Sequence, residues 1–232
     1  MLRMLIIILI LLAVVGGVLW LGRLLPLGYN PFTPLSIHDP PTFITRMKIN
    51  WVTGDRQRCL TLLAQARADG RIDYQQEQDV RGDCPLLSPI RVKSFGQVKL
   101  SASFLASCRL ALRSTMFVSQ VAAPLAQQQL GSHLTRIDHL GSYACRNIYH
   151  RPEGRLSEHA TANAWDISGF RLANGQRLRI EKDWPKETSN GLFLRRVFHD
   201  GCGFFGNSLG PEYNSAHANH FHFSVRGYGL CH

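Results

Sequence analysis

The sequence predicts an α+β domain: a small, mostly antiparallel sheet flanked by helices, disulfide-stapled and preceded by one N-terminal transmembrane helix. Three observations carry that prediction. Met4 to Gly22 (MLIIILILLAVVGGVLWLG) is apolar and uncharged throughout. The six cysteines, an even set, all lie beyond that run. Helical apolar spacing comes first in the remaining chain, and strand-like segments with one more helix between them follow.

The apolar run is close to the ~20 residues needed to cross a bilayer as a helix. A cleaved signal peptide is the competing reading, since its hydrophobic core would look the same. Trp20, Leu21, Arg23 and Leu24 stand where a cleavage site would place small residues, so residues 1–23 are expected to be a retained anchor. Arg3 and Arg23 balance each other, and flanking charge barely decides orientation. Residues 24–42 contain Pro26, Pro31, Pro34, Pro40 and Pro41, five of the 11 prolines, and are expected to form an extended spacer. The folded domain is then residues 43–232.

Within it, Cys59, Leu62, Leu63 and Ala66 recur at helical spacing in DRQRCLTLLAQARADG, which closes at Gly70. Ile90 to Leu100 is expected to hold a short strand. Ser103 to Leu130 reads as a helix that Pro124 interrupts or bends. Arg136 to Arg146 reads as a strand. Ala164 to Leu172 and Gln176 to Ile180 are strand-like and flank Asn174-Gly175, a strong hairpin signal. Leu192 to Phe198 reads as a helix, and His220 to Val225 alternates like a strand.

Cys59, Cys84, Cys108, Cys145, Cys202 and Cys231 form no C-x-x-C, which argues against a zinc ribbon or a thioredoxin-like motif. An even, widely spaced set beyond an anchor points to disulfides in an exported domain. Many pairings are possible. Pairing of neighbours (Cys59–Cys84, Cys108–Cys145, Cys202–Cys231) is the expectation. Net charge is +10, from 26 Lys and Arg against 16 Asp and Glu. That excess suits an anionic envelope polymer or lipid headgroups, and a generally basic soluble surface would look the same. Nucleic acid is not expected as a partner of an exported domain.

Two stretches carry candidate chemistry. In SEHATANAWD (157–166), His159 and Asp166 stand seven positions apart among small residues. Alone, that pair is at chance level. In HANHFHF (217–223), His220 and His222 would share one strand face, with Phe221 and Phe223 on the core side. Two imidazoles on one face are costly to bury unless they bind a metal or are otherwise paired.

Together the two stretches resemble the zinc peptidase group that includes lysostaphin, D-Ala-D-Ala peptidases and hedgehog-type domains. Ser157, His159, Ala164 and Asp166 match its Ser-x-His-x-x-Gly-x-Ala-x-Asp pattern, while Ala162 stands where the group has glycine. SEHATANAxD with the late HxxHFHF and several cysteines resembles more specifically the bacterial extensin-like C-terminal family, over roughly Phe43 to the C-terminus.

The resemblance implies that His159, Asp166 and His222 bind Zn²⁺. His220 would act as a base or stabilise a tetrahedral intermediate, and Arg146 would hold a substrate carboxylate or carbonyl. Where relatives with Glu-x-x-His carry their base, this chain has Asn219, which cannot accept a proton. Glu212 and His217 lie upstream, and Glu158 is expected to point away.

The function so implied is that of a zinc-dependent metallopeptidase or amidase acting on peptidoglycan peptides. It would be single-pass in the inner membrane with its C-terminal domain in the periplasm. The alternative is a non-catalytic wall-binding module of the same fold. His133, His139, His150 and His199 lack partners at ligand spacing and are expected to be structural or surface residues.

Overall fold

A computed structural model describes residues 2–232. Helix α1 (Leu2–Arg23) is apolar from Met4 to Gly22, and residues 2–21 are exposed. Its 22 residues rise ~33 Å, enough to cover the ~30 Å hydrocarbon core of a bilayer. A signal sequence near the N-terminus would have the same property.

Two helices follow, each started by a side-chain cap. Thr42 accepts from Thr45 N ahead of α2 (Phe43–Thr53), and Asp55 accepts from Arg58 N ahead of α3 (Arg56–Ala68). Strands β1 (Asp73–Gln76), β2 (Ile90–Phe95) and β3 (Val98–Ala106) form an antiparallel meander. Ser107 then caps α4 (Cys108–Phe117).

The expected long helix from Ser103 therefore starts later, because Ser103 to Ala106 continue β3. Pro124 lacks an N–H and crowds the carbonyl four residues back. The chain meets it with a π turn at Val118–Ala122, then continues as α5 (Ala123–Leu130). Gly131, at φ +63°, ends that helix.

Strand β4 (Leu134–Gly141) pairs parallel with β3 and antiparallel with β5 (Ala164–Leu172). It is shorter than expected: residues 142–146 leave it as a loop. Asn174-Gly175 turns β5 into β6 (Arg177–Arg179), where Gly169 lets the backbone of Leu178 approach closer than any side chain would permit. After α6 (Ile180–Asp183) and α7 (Ser189–Gly201) come β7 (Asn207–Leu209), β8 (Phe221–Ser224) and β9 (Leu230–Cys231).

The sheet has nine strands, ordered β1-β2-β3-β4-β5-β8-β7-β9, with β6 on the outer half of β5. It is larger than predicted but, as predicted, mostly antiparallel, with parallel pairs at β3/β4 and β7/β9.

The period-two rule then sorts the central strands. Trp165 and Ile167 of β5 pair with Phe223 and Phe221 of β8, and all four are buried. Their face packs on helices: Phe223 lies 5.2 Å from Phe117 of α4, and Phe221 lies 5.0 Å from Phe198 of α7. Asp166 and His222 necessarily point to the opposite face.

Two of the expected disulfides are wrong. The bridges are Cys59–Cys108, Cys84–Cys145 and Cys202–Cys231, so only the last pair of neighbours holds. Packing of α3 on α4 brings Cys59 onto Cys108 and leaves Cys84 to the loop after β4.

The proline-rich stretch does not run as an extended spacer. Leu35 and Ile37 are buried in the core, and Gln120 donates to the carbonyls of Ile37 and Asp39. Two apolar side chains and a buried carboxylate, Asp39, outweigh the extended bias of the prolines.

Candidate metal centre

Ser157 opens a single 3-10 turn (Glu158–Thr161) by accepting from His159 N at 3.3 Å. The turn closes at Ala162 in the left-handed region, φ +49° and ψ +38°, before β5 begins. This is the position where the resembled pattern has glycine, and the backbone takes the conformation that glycine favours. Glu158 is held outward by an ion pair with Arg226 at 2.6 Å. The turn is fixed from below by the loop after β4, through Ser157 N to Arg146 O (3.0 Å) and Ala144 N to His159 O (3.2 Å).

That loop also sets the His159 ring. Its Nδ1 lies 2.9 Å from the carbonyl oxygen of Ser142, which can only accept, so Nδ1 carries the proton. Nε2 is left with a lone pair aimed at Asp166 Oδ2, 3.1 Å away, and at His222 Nδ1, 3.2 Å away. Asp166 and His222 are direct cross-strand partners, with Oδ1 and Nδ1 2.9 Å apart. His159 and Asp166 are buried, and His222 is nearly so.

The two imidazole nitrogens and both Asp166 oxygens thus converge, and only a shared proton or a cation reconciles them. Tetrahedral zinc, with bonds of about 2.0–2.2 Å, sets its ligand atoms roughly 3.4 Å apart. The two imidazole nitrogens are 3.2 Å apart and each faces its own Asp166 oxygen, at 3.1 Å for His159 and 2.9 Å for His222, a few tenths of an ångström shorter. Two imidazoles and a carboxylate, the first ring oriented by a backbone carbonyl, make a donor set that could hold a metal ion.

Burial alone would raise the Asp166 carboxyl, but the two imidazoles beside it, when they carry the shared proton, donate to it and outweigh burial, and a bound cation would stand in for that proton. The group is held well below the usual carboxylate range and stays ionised, as a ligand must be.

Around this triad the structure places further histidines. His220 Nε2 lies 3.7 Å from Asp166 Oδ1, and its Nδ1 is 2.8 Å from Asn219 Oδ1. His217, which the sequence left as an upstream residue, packs against His222 and His220 with ring centroids 5.7 and 5.3 Å away. Its Nδ1 donates to Asn214 Oδ1 at 2.8 Å.

Burial pushes His217 down to about 4, helped by the neighbouring His222 and His220. Burial also lowers His220, with Asp166 opposing and His222, His159 and Arg146 reinforcing. Both rings are therefore neutral at pH 7 and hold a lone pair.

Arg146 is half-buried in the loop after β4, beside Cys145, and its charge reaches His220. Glu212 is exposed and lines a separate groove with Trp184 and Arg195. Trp165 and Trp184 are both core residues. The only signal in the sequence for His217 was its place five residues before His222. The Ser142 carbonyl, being backbone, left no signal at all.

The family model described as "Extensin-like protein C-terminus" matches residues 57–232. The chain belongs to that family. The matched region of this extensin-like chain contains all three converging side chains, His217, His220 and Arg146. No curated protein and no solved structure matches the chain. The wider likeness to zinc peptidases rests on the motif positions alone.

Proposed function

We propose that the extensin-like domain binds one Zn²⁺ through His159, Asp166 and His222 and acts as a metallopeptidase or amidase on cell-wall peptides. Helix α1 would be retained as a single inner-membrane anchor, with the domain in the periplasm and peptidoglycan as its partner. The observation that carries this reading is the Nε2 lone pair of His159. Its ring is locked by Ser142 and points at a carboxylate oxygen and a second imidazole nitrogen.

Zinc, when bound, would polarise a scissile carbonyl and acidify a water. The chain's own residues supply the remainder. His220 is neutral at pH 7 and lies at the rim of the triad, so its Nε2 can take a proton from an attacking water. His217, braced by Asn214, packs behind His220 and His222 and fixes their rings. Arg146 can hold a substrate carboxylate through charge-assisted hydrogen bonds. Three disulfides and a basic surface suit an exported domain working beside an anionic polymer.

The second reading, a wall-binding module without turnover, is favoured by Asn219. It occupies the place of the glutamate base and only accepts from His220. Incubating the zinc-loaded chain with isolated peptidoglycan separates the two. The enzyme reading expects release of new amines and carboxyls, lost in His220→Ala with metal content intact. Co-sedimentation with undigested peptidoglycan would give the lead to the binding module.

A further inference from the structure

Helix α2 is apolar on both sides. Ile49 and Val52 enter the core, whereas Phe43 (73% exposed), Met47 (46%) and Trp51 (64%) point outward at i, i+4 and i+8. These three side chains lie within one narrow arc of the helix, where a water-facing helix would carry polar groups. The helix contains no acidic residue. Arg46 is exposed beside Met47, and the Arg58 guanidinium lies 4.0 Å over the Trp51 ring.

The position of the stripe says what covers it. Phe32 packs against Gly22 at the end of α1, where a side chain would press on its ring. The next residue, Thr33, accepts from Lys48 of α2 at 2.9 Å, and Lys48 also pairs with Asp39 at 3.8 Å. Thr42, the cap of α2, donates to the carbonyl of Gly28. Gly28 is only five positions along from Arg23, a reach of at most about 18 Å. Helix α2 is thus tethered close to the point where α1 ends, with its stripe on the side away from those tethers.

Aromatic side chains beside arginines are the composition of a segment lying in the headgroup zone. The helix is also fastened to the domain. Asn50 accepts from the buried Arg113 at 2.7 Å, and Arg46 donates to Gly203 O at 3.1 Å.

We propose that α2 seats the domain on the bilayer, placing Phe43, Met47 and Trp51 among the headgroups of the anionic leaflet from which α1 emerges. The proposal rests on the retained-anchor reading. It makes the domain a body fixed against the membrane rather than one tethered above it.

The test uses the full chain carrying Trp20→Phe, reconstituted in phosphatidylcholine–phosphatidylglycerol vesicles. Trp51 is then the one exposed tryptophan, since Trp165 and Trp184 are buried. Lipids brominated high on the acyl chain should quench it at least twofold more than lipids brominated deep, and iodide should quench it weakly. Phe43→Ser with Met47→Ser should abolish the lipid quenching and open Trp51 to iodide. Free access of iodide without lipid quenching overturns the proposal while leaving the anchor intact. Protection from iodide without lipid quenching also overturns it and assigns the stripe to a second copy. Intact mass and resistance to carbonate extraction report on α1 separately. A chain that has lost α1 overturns the anchor reading, and this proposal with it.

Discussion

Asp166 and His222 face each other across β5 and β8, carboxylate oxygen to imidazole nitrogen at 2.9 Å, on the sheet face turned away from the helices. Their neighbours Trp165 and Phe223 form the adjacent cross-strand pair and are fully buried on the other face. The same alternation that packs the core therefore presents the two candidate ligands together. A slip of one residue would bury both and expose the aromatics.

Replacing Asp166 with Asn keeps the shape and removes the charge. At zinc a hundredfold above the wild-type Kd, the wild type should gain about 2.7 kcal/mol of stability. Asp166→Asn should gain less than half of that in the same urea titration. Equal gains would place the cation elsewhere.

The disulfides give a prediction independent of metal. Non-reducing peptide mapping should find Cys59 with Cys108, Cys84 with Cys145 and Cys202 with Cys231. In the chain-entropy description, loops of 49 and 61 residues each contribute about 4 kcal/mol. Replacing either pair with alanines should lower stability by several kcal/mol. A Cys59–Cys84 peptide would contradict the packing of α3 on α4.

His139 predicts an acid-side loss of stability. Its Nε2 donates to Ala102 O at 2.8 Å, while its buried Nδ1 has no partner among the described residues. Burial lowers its pKa first, with Arg136 reinforcing; the Ala102 hydrogen bond, Asp138 and Asp166 oppose it. On acidification the unfolded chain binds this proton before the folded one does. The contribution is thus full above about pH 6.5 and is lost as pH falls through the folded value. His139→Gln should flatten the stability–pH slope between pH 6.5 and 5. An unchanged slope would rule out this role.

Ala162 sits at φ +49° with its methyl fully buried. Glycine there would relieve roughly 1 kcal/mol of left-handed strain but lose a buried methyl and add unfolded-state entropy of similar size. Ala162→Gly should change stability by less than about 1 kcal/mol. Ala162→Val, β-branched in the same conformation, should cost about 2 kcal/mol or more by chemical denaturation. A tolerated valine would mean that the turn before β5 relaxes.

Much of this was legible locally. The Asn174-Gly175 hairpin and the alternation of His220 to Val225 are short-range signals, and both formed. Phe221 and Phe223 went to the core as the period-two rule requires. The misreadings came from distance. Phe104 and Leu105 extend the apolar run of α4, so only the pairing of β3 with β2 reveals them as strand. The prolines of residues 24–42 promised extension, but Leu35 and Ile37 dock on elements far along the chain. The partner of Cys59 depended on helix packing, and the hydrogen bond that orients His159 comes from a backbone carbonyl.

The central claim is that His159, Asp166 and His222 bind a metal, and metal content tests it most directly. Elemental analysis of chain purified without chelator should give about one zinc per chain. His159→Ala and His222→Ala should fall below about a tenth of that with circular dichroism unchanged. Wild-type chain that carries no stoichiometric metal, and takes up none when titrated with Zn²⁺ at pH 7, would contradict the account.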